Sequence, residues 1–292
     1  MVEGRLRGKT GYILCAPAVA VLGVLVALPL VSGVWQAFTD ANLLRPTVRT
    51  VGLANFAKMV LDPVFWVALR HSLALTAVAV ILQLALGTIL ALALKQNVPG
   101  VGVFRSLAMT TWVIPVVATV VMFKFMTQTG YGFFNMVLER IGLGRYATYW
   151  FGDIRWAFPL VVFLHLWRNV PFYGVALLAA MQSIPKDLYE AAQIDGADAW
   201  QQFWHITVPG IKYTAMVMVT IHVIWTFNNF DLVYLATGGG PVDVTEVLPV
   251  YLYKQCWHNF SMGYGAALGV AMLVLLATFF LLYTKVTGER EI

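Results

Sequence analysis

The sequence predicts an all-α polytopic membrane protein with six transmembrane helices. Of its 292 residues, 60% are hydrophobic and only 11% are charged, whereas charged residues make up about 25% of an ordinary soluble domain. The apolar residues form runs long enough to cross a bilayer, which takes about 20 residues in a helix. These runs leave no room for a sizeable soluble catalytic domain.

The six predicted spans are separated by polar or aromatic segments. The first apolar run is too long for the core of a cleaved signal peptide, so we expect it to persist as a span. Pro115 is expected to kink the third span, with Trp112 beside it in a packing role. Residues 1–292 are predicted to form a single transmembrane domain. Its spans cover approximately residues 12–35, 72–94, 107–125, 158–181, 215–235 and 265–283.

The remaining composition excludes several classes of protein. The net charge of +5 comes from scattered basic residues, which is typical of helix ends at lipid headgroups and not of a nucleic-acid-binding tract. Cys15 and Cys256 form no close-spaced pair and are interpreted as inert buried thiols, with the redox compartment left open. We predict no catalytic residue and no metal site. The chain also lacks a GxxxxGK[ST] loop for binding ATP.

A polar segment, residues 183–212, separates spans four and five and is predicted to form two short helices. Ser183 is expected to cap the first helix, and Gly196 to end it. The second helix is expected to begin at Asp198 and to be stopped by Pro209. The segment is therefore predicted to be a folded element between two membrane spans.

An aromatic surface on this segment predicts a protein partner. Trp200, Phe203 and Trp204 recur at i, i+3 and i+4 and share one helix face. The alternative is an amphipathic segment lying on the inner leaflet. Between Lys186 and Lys212 acidic residues outnumber basic ones, which is the wrong balance for anionic headgroups. The pattern favours helix-in-groove recognition.

Spans four and five each carry polar residues on one helical face, at i, i+3, i+4 and i+7. Amides, a guanidinium and aromatic rings suit the hydroxyls and apolar faces of carbohydrates, and polar residues inside a membrane usually face protein or water. We expect both faces to line a translocation path. The alternative is that they cross-link helices. The faces consist of His165, Arg168, Asn169 and Phe172 in span four, and of His222, Trp225, Thr226 and Asn229 in span five.

Three segments resemble the permease subunits of bacterial ABC importers. The first is Glu190-Ala191-Ala192, then Gly196, then Ile206-Thr207-Val208-Pro209, with Val208 where the family has Leu. The others are Trp167-Arg168-Asn169-Val170-Pro171-Phe172 and the stretch from Trp225 to Pro241. Together they resemble the carbohydrate-uptake branch, of the maltose or glycerol-3-phosphate permease type with six spans, in the form that pairs with a second permease.

This resemblance implies a permease domain with a cytoplasmic coupling helix between spans four and five. The chain would form, with a second permease, the path for a sugar or sugar derivative delivered by an extracytoplasmic binding protein. Two copies of a cytoplasmic ATPase would bind ATP and Mg, whereas this chain would bind no cofactor. The residues expected to contact the ATPase are Glu190, Ala191, Ala192, Asp195, Gly196, Trp200, Phe203, Trp204 and Pro209.

The resemblance also implies a place in the bacterial inner membrane, with both termini cytoplasmic. Two other classes stay open on the residues alone. Asp231 could serve an ion-coupled secondary transporter, although it points away from the polar face of span five and is interpreted as structural. A membrane-embedded transferase would need clustered acidic or metal-binding groups, which are found only in segment 183–212.

Overall fold

The computed structural model describes residues 14–96 and 98–288. These residues form helices and connecting turns, with two isolated β-bridges. The basic residues at the predicted N-terminal end, and residues 12 and 13 of the first span, lie outside the described part. The helices are α1 (Leu14–Gln36), α2 (Ala54–Leu61), α3 (Pro63–Lys95), α4 (Val101–Val113), α5 (Val116–Met126), α6 (Phe133–Arg140), α7 (Ala157–Gln182), α8 (Lys186–Ile194), α9 (Ala199–Phe227), α10 (Asp231–Thr237), α11 (Leu248–Tyr253) and α12 (Met262–Gly288).

Five of the described helices are long and apolar enough to cross a membrane, namely α1, α3, α7, α9 and α12. Helices α4 and α5 form a sixth candidate span only if they are counted as one helix, which is bent by 94° at the break between them. The predicted third span is therefore broken instead of gently kinked. Ile114 adopts an extended conformation before Pro115, as expected for a residue preceding proline, and the proline nitrogen cannot continue the helix.

The helix of the predicted fifth span is shorter than expected at its C-terminal end. It stops at Phe227 and does not continue to Leu235. The Asn228 side-chain amide donates to the carbonyl of Ile224, and the N–H of Leu232 is bound by the Asn229 side chain. The two asparagines thus satisfy backbone groups on both sides of a break, after which α10 begins separately.

By internal packing the chain divides into two compact units. The first unit contains the chain up to Asp62 together with Leu252–Thr278. In it, the Asn55 amide donates to the carbonyls of Ala37 and Thr39 at 2.9 and 2.8 Å. These bonds hold the loop after α1 against the start of α2.

The second unit contains Pro63–Tyr251 and the chain from Phe279. Helices α3 and α7 pack closely along their length at two glycines. A Cβ atom at Gly87 would overlap Tyr173, and one at Gly174 would overlap Leu90. Small residues at such contacts let membrane helices approach closely, where dispersion and not water exclusion drives association. Buried apolar residues form one core around Phe123 and Leu164, and another around Tyr173 and Leu177.

Candidate functional site

The structure brings the two predicted polar faces into direct contact. His165 of α7 is buried, and its Nε2 lies 3.1 Å from the hydroxyl of Thr226 in α9. Its Nδ1 lies 3.4 Å from the side-chain nitrogen of Asn229. Both nitrogens of one imidazole therefore face α9 and the residues that follow it. The sequence predicts two polar faces that line a translocation path, and a role in substrate binding stays a prediction.

Aromatic rings surround this polar contact. His222 is buried, with its ring centre 5.8 Å from that of Phe172 and 5.4 Å from that of Trp225. Trp112 stacks on Phe172 with centroids 5.0 Å apart and planes 17° apart. Phe172 thus lies between the broken α4–α5 pair and the imidazole on α9. Trp112 packs as expected, here against a ring predicted to meet the substrate.

Arg168 binds the break in α4–α5. Its guanidinium donates a hydrogen bond to the carbonyl oxygen of Ile114, the residue before Pro115. This carbonyl lies where the helix is interrupted, so the arginine supplies a hydrogen bond that a continuous helix would have made. Asn169 donates to the carbonyl of His165 in its own helix. In this conformation Arg168 cross-links two helices, which is the alternative to substrate binding that the sequence leaves open, whereas Asn169 bonds within α7.

Sequence reasoning missed two buried residues. Gln83 in α3 is fully buried, and neither its side-chain oxygen nor its nitrogen has a hydrogen-bond partner. Tyr173 is also buried, with its ring centre 4.5 Å from that of His222. Since buried polar groups are normally hydrogen-bonded, an unpartnered amide is available for a ligand or water. A single glutamine within an otherwise apolar span was the signal for Gln83.

The segment between α7 and α9 is an ordered pair of helices. Helix α8 ends with the two hydrogen bonds of a Schellman motif, from the N–H of Ala197 to the carbonyl of Ala192 and from Gly196 to Gln193. Gly196 has φ of +82°, so it ends the helix as predicted. Helix α9 begins with a capping box at Asp198, also as predicted.

Two details of this segment differ from the predictions. The Ser183 hydroxyl donates to the carbonyl of Ala180, so it finishes α7 and does not cap α8. Pro209 does not stop the second helix, which continues from Ala199 to Phe227. A π-helical turn at Phe203–Thr207 precedes Pro209, and the proline lies in the first turn of the following α-helical stretch, where its missing N–H costs little.

Part of the aromatic surface is open to solvent. Trp200 and Trp204 are 68% and 48% exposed, and their rings meet edge to face at 5.6 Å. Phe203 is half-buried and turns toward a groove beside Tyr283. The exposed surface therefore has two of the three predicted aromatic residues. Glu190, Ala191, Asp195, Gly196 and Pro209 are also exposed, and Ala192 is half-buried.

Helix α8 is attached to the membrane helices by two contacts. The Tyr189 hydroxyl lies 3.0 Å from the hydroxyl of Thr207 in α9. The ammonium of Lys95, at the end of α3, lies 4.1 Å from the centre of the Tyr189 ring. These contacts fix α8 relative to both α3 and α9. A force on α8 therefore acts directly on two spans.

Comparison with known proteins assigns the chain to a family. Residues 83–287 match the family described as binding-protein-dependent transport system inner membrane component. The chain belongs to this family. It is therefore a multi-pass membrane transport component and not an enzyme, and the ion-coupled carrier and the transferase are set aside. Among the described residues, no group of three or more His, Cys, Asp or Glu side chains could hold a metal ion.

Several relatives match along nearly their whole length. The trehalose/maltose transport system permease protein MalF of Thermococcus litoralis is 31% identical, over 97% of this chain and 95% of its own. The inner membrane ABC transporter permease protein YcjO of Escherichia coli is 33% identical over 98% and 96%. The diacetylchitobiose uptake system permease protein DasB of Streptomyces coelicolor is 32% identical over 96% and 87%.

A solved structure shares the fold. It is a chain of a bacterial ABC transporter involved in import of the acidic polysaccharide alginate, with a TM-score of 0.86 and 99% of both chains covered at 21% identity. A second similar structure is of a bacterial alginate ABC transporter in complex with an alginate pentasaccharide-bound periplasmic protein. This likeness confirms the all-α membrane architecture.

Proposed function

We propose that the chain is the permease subunit of an ATP-driven importer for a sugar or sugar derivative. The observation that carries the proposal is the family match together with relatives named for trehalose/maltose and diacetylchitobiose uptake. The paired polar and aromatic faces of α7 and α9 provide suitable chemistry. A second permease would complete the path, and an extracytoplasmic binding protein would deliver the substrate.

The path requires α7 and α9 to separate locally. His165, Thr226 and Asn229 satisfy one another in the present conformation, so a saccharide would replace these contacts with its hydroxyls. Trp225, which is 53% exposed, and Phe172 would stack on the apolar face of the sugar. Gln83 would add both a donor and an acceptor from α3. The hydroxyls of the saccharide would thus replace the hydrogen bonds that these side chains lose and would supply partners for Gln83.

Coupling to ATP would occur through α8 and the start of α9. Two copies of an ATPase would bind ATP and Mg, and this chain would bind neither. The exposed Glu190 carboxylate would meet a basic group of the ATPase, while Trp200 and Trp204 would enter an apolar cleft. In this proposal α8 and both termini would lie in the cytoplasm. Closure of the ATPases would then move α8 and, through its attachments, α3 and α9.

The test is transport by the complete complex, reconstituted with its binding protein and a panel of neutral and anionic saccharides. We expect one saccharide class to stimulate ATP hydrolysis and to be taken up. Alanine at Arg168, Trp225 or Asn229 should impair uptake more than assembly, and Glu190→Lys should lower ATPase retention. Normal uptake in all three alanine variants would refute the proposed substrate path. Normal coupling in the Glu190 variant would refute the proposed contact between Glu190 and the ATPase.

A further inference from the structure

A second candidate site lies at the other end of α7 from the α8 segment. It is a polar cavity of about 550 Å3, just before the first residue of α7. With 26 residues at 1.5 Å each, α7 separates the two regions by about 39 Å. If α8 faces the cytoplasm, this cavity faces the opposite side of the membrane. Its lining residues are Arg145, Tyr146, Ala147, Thr148, Asp153, Arg155 and Trp156.

The walls of the cavity are held in place by Asn135, a buried residue of α6. Its side-chain nitrogen donates to the carbonyls of Gln128 and Thr148 at 3.2 and 3.0 Å. Its side-chain oxygen accepts a 2.8 Å hydrogen bond from the Trp150 indole. One amide thus connects α6, the end of α5 and the cavity loop. The loop needs no folding step to present its side chains.

The packing of the loop leaves little freedom for another conformation. Gly152 lies so close to Tyr149 that a Cβ atom would overlap the tyrosine ring. Trp150 and Trp156 meet with ring centres 5.3 Å apart. Trp156 both packs inside the loop and lines the cavity. Such pre-organisation lowers the entropic cost of binding a partner.

The charges of the cavity are arranged to leave positive groups outermost. Asp153 accepts a 2.8 Å hydrogen bond from the backbone N–H of Arg155 and one from Thr148 at 3.4 Å. The N–H of Arg155 and its nearby charge hold the pKa of the Asp153 carboxyl below its usual range. The Arg155 side chain is 84% exposed and lies 3.6 Å from this carboxylate. Arg145 lies 4.7 Å from the centre of the Tyr146 ring.

We propose that this cavity receives an acidic side chain, Asp or Glu, from the surface of the extracytoplasmic binding protein. The proposal rests on the proposed function for the existence of that partner. Two guanidinium groups around a concave surface match the planar, two-oxygen geometry of a carboxylate. Arg, Tyr and Trp are also the residues that most often dominate the energetics of protein interfaces. The carboxylate of Asp153 is already engaged within the loop.

The position of the cavity gives the contact a consequence for transport. The loop continues directly into α7, since the N–H groups of Trp156 and Ala157 both bind the carbonyl of Asp153. The other end of α7 leads into the segment proposed to meet the ATPase. A binding protein seated on the cavity would therefore press on the same helix that ends at the coupling segment.

The test compares how the concentration of binding protein stimulates ATP hydrolysis by the reconstituted complex. The double variant Arg145→Glu/Arg155→Glu should raise the concentration needed for half-maximal stimulation by about 30-fold and weaken its dependence on salt. Stimulation at saturation and basal hydrolysis should be unchanged. The matched control is Arg140→Glu, an exposed arginine at the end of α6 that does not line the cavity, and it should behave like the wild type.

Three results separate the possibilities. An unchanged half-maximal concentration in the double variant, in a normally assembled complex, overturns the docking role. The docking role is also overturned if the double variant weakens saccharide binding to the complex in the absence of binding protein. That result would identify the cavity as a saccharide site. If the double variant fails to assemble, Arg145→Gln and Arg155→Gln are measured singly, and an unchanged salt dependence in both overturns the proposal. Failure of every binding protein and saccharide to stimulate the wild type would instead refute the proposed function.

Discussion

Gly196 offers a graded test of whether the shape of the α8–α9 turn controls coupling. Its φ of +82° is in the left-handed region, and a Cβ atom there would meet nothing within 4 Å. A substitution therefore changes backbone strain without creating a steric clash. Replacement by Asn, Ala and Val forms a series of increasing strain, because Asn tolerates this conformation and a β-branched residue tolerates it least.

The expected magnitude follows from the cost of the left-handed conformation. Alanine at this φ costs about 1 to 2 kcal/mol relative to glycine, which lowers the equilibrium constant for the observed turn over its alternatives by roughly 5- to 30-fold. If the ATPase binds only this turn, its affinity falls by at most the same factor, and it falls most when the turn is only marginally stable. We expect Gly196→Asn to lose less than Gly196→Ala, and Gly196→Val to lose most.

The assay is the ATPase concentration that gives half-maximal assembly with the purified membrane subunits. Gly102 provides the matched control, because a Cβ atom there also meets nothing within 4 Å, while its position inside α4 is helical. Gly102→Ala should be neutral or slightly stabilising. Equal assembly for Gly196→Val, Gly102→Ala and the wild type would refute the link between this turn and ATPase docking.

Two further outcomes follow from the buried contacts. Thr226→Val should lower the Tm of the purified complex, because it removes the hydrogen bond to His165 at a cost of about 0.6 to 1.7 kcal/mol in a membrane protein. Cys256 should react slowly with a maleimide, because burial raises the pKa of its thiol. A raised pKa leaves less thiolate at a given pH, so the labelling rate should rise at a higher pH than that of an exposed cysteine.

Both outcomes have internal controls. Thr88→Val removes a hydroxyl bond to the carbonyl of Leu84 in the same helix and should change the Tm less than Thr226→Val. Equal shifts in the two variants would contradict a special role for the contact between helices. For the thiol, the measurement uses a Cys15→Ser background, so that only Cys256 reacts. Fast labelling at neutral pH would show that the thiol is accessible.

The polar faces of α7 and α9 could be predicted because polar residues are rare in these spans and repeat at helical spacing. His165 and Thr226 belong to these two faces and contact each other, since a buried polar group in a membrane needs a polar partner. The sequence also predicts that the α8 segment is folded. Gly196 and the capping box at Asp198 are local signals that depend on a few neighbouring residues.

Features that depend on three-dimensional neighbours could not be read from the sequence. Hydropathy alone predicts one span across the α4–α5 break, since the residues on both sides are apolar. The sequence predicts a kink at Pro115. The 94° bend also depends on a hydrogen-bond donor for the carbonyl that the break exposes, and here Arg168 provides that donor from another helix. Likewise, Pro209 signals a helix end only when no π-helical turn precedes it.

Asn229 joins a structural role and a candidate site role in one side chain, and the two can be separated. Its oxygen accepts the N–H of Leu232 at 3.3 Å, and its nitrogen lies 3.4 Å from Nδ1 of His165. Asn229→Asp keeps the oxygen acceptor but replaces the NH2 donor, whereas Asn229→Ala removes both.

If the contact with His165 serves the path, Asn229→Asp should reduce uptake while leaving the Tm of the complex within about 1 °C, and Asn229→Ala should lower both. A loss of Tm in both variants with normal uptake per assembled complex would make Asn229 only the residue that starts α10. Retained uptake and Tm in Asn229→Asp, with loss of both in Asn229→Ala, would lead to the same conclusion. The break after Phe227 would then act as a helix junction and not as part of the path, because only the acceptor that serves Leu232 would matter.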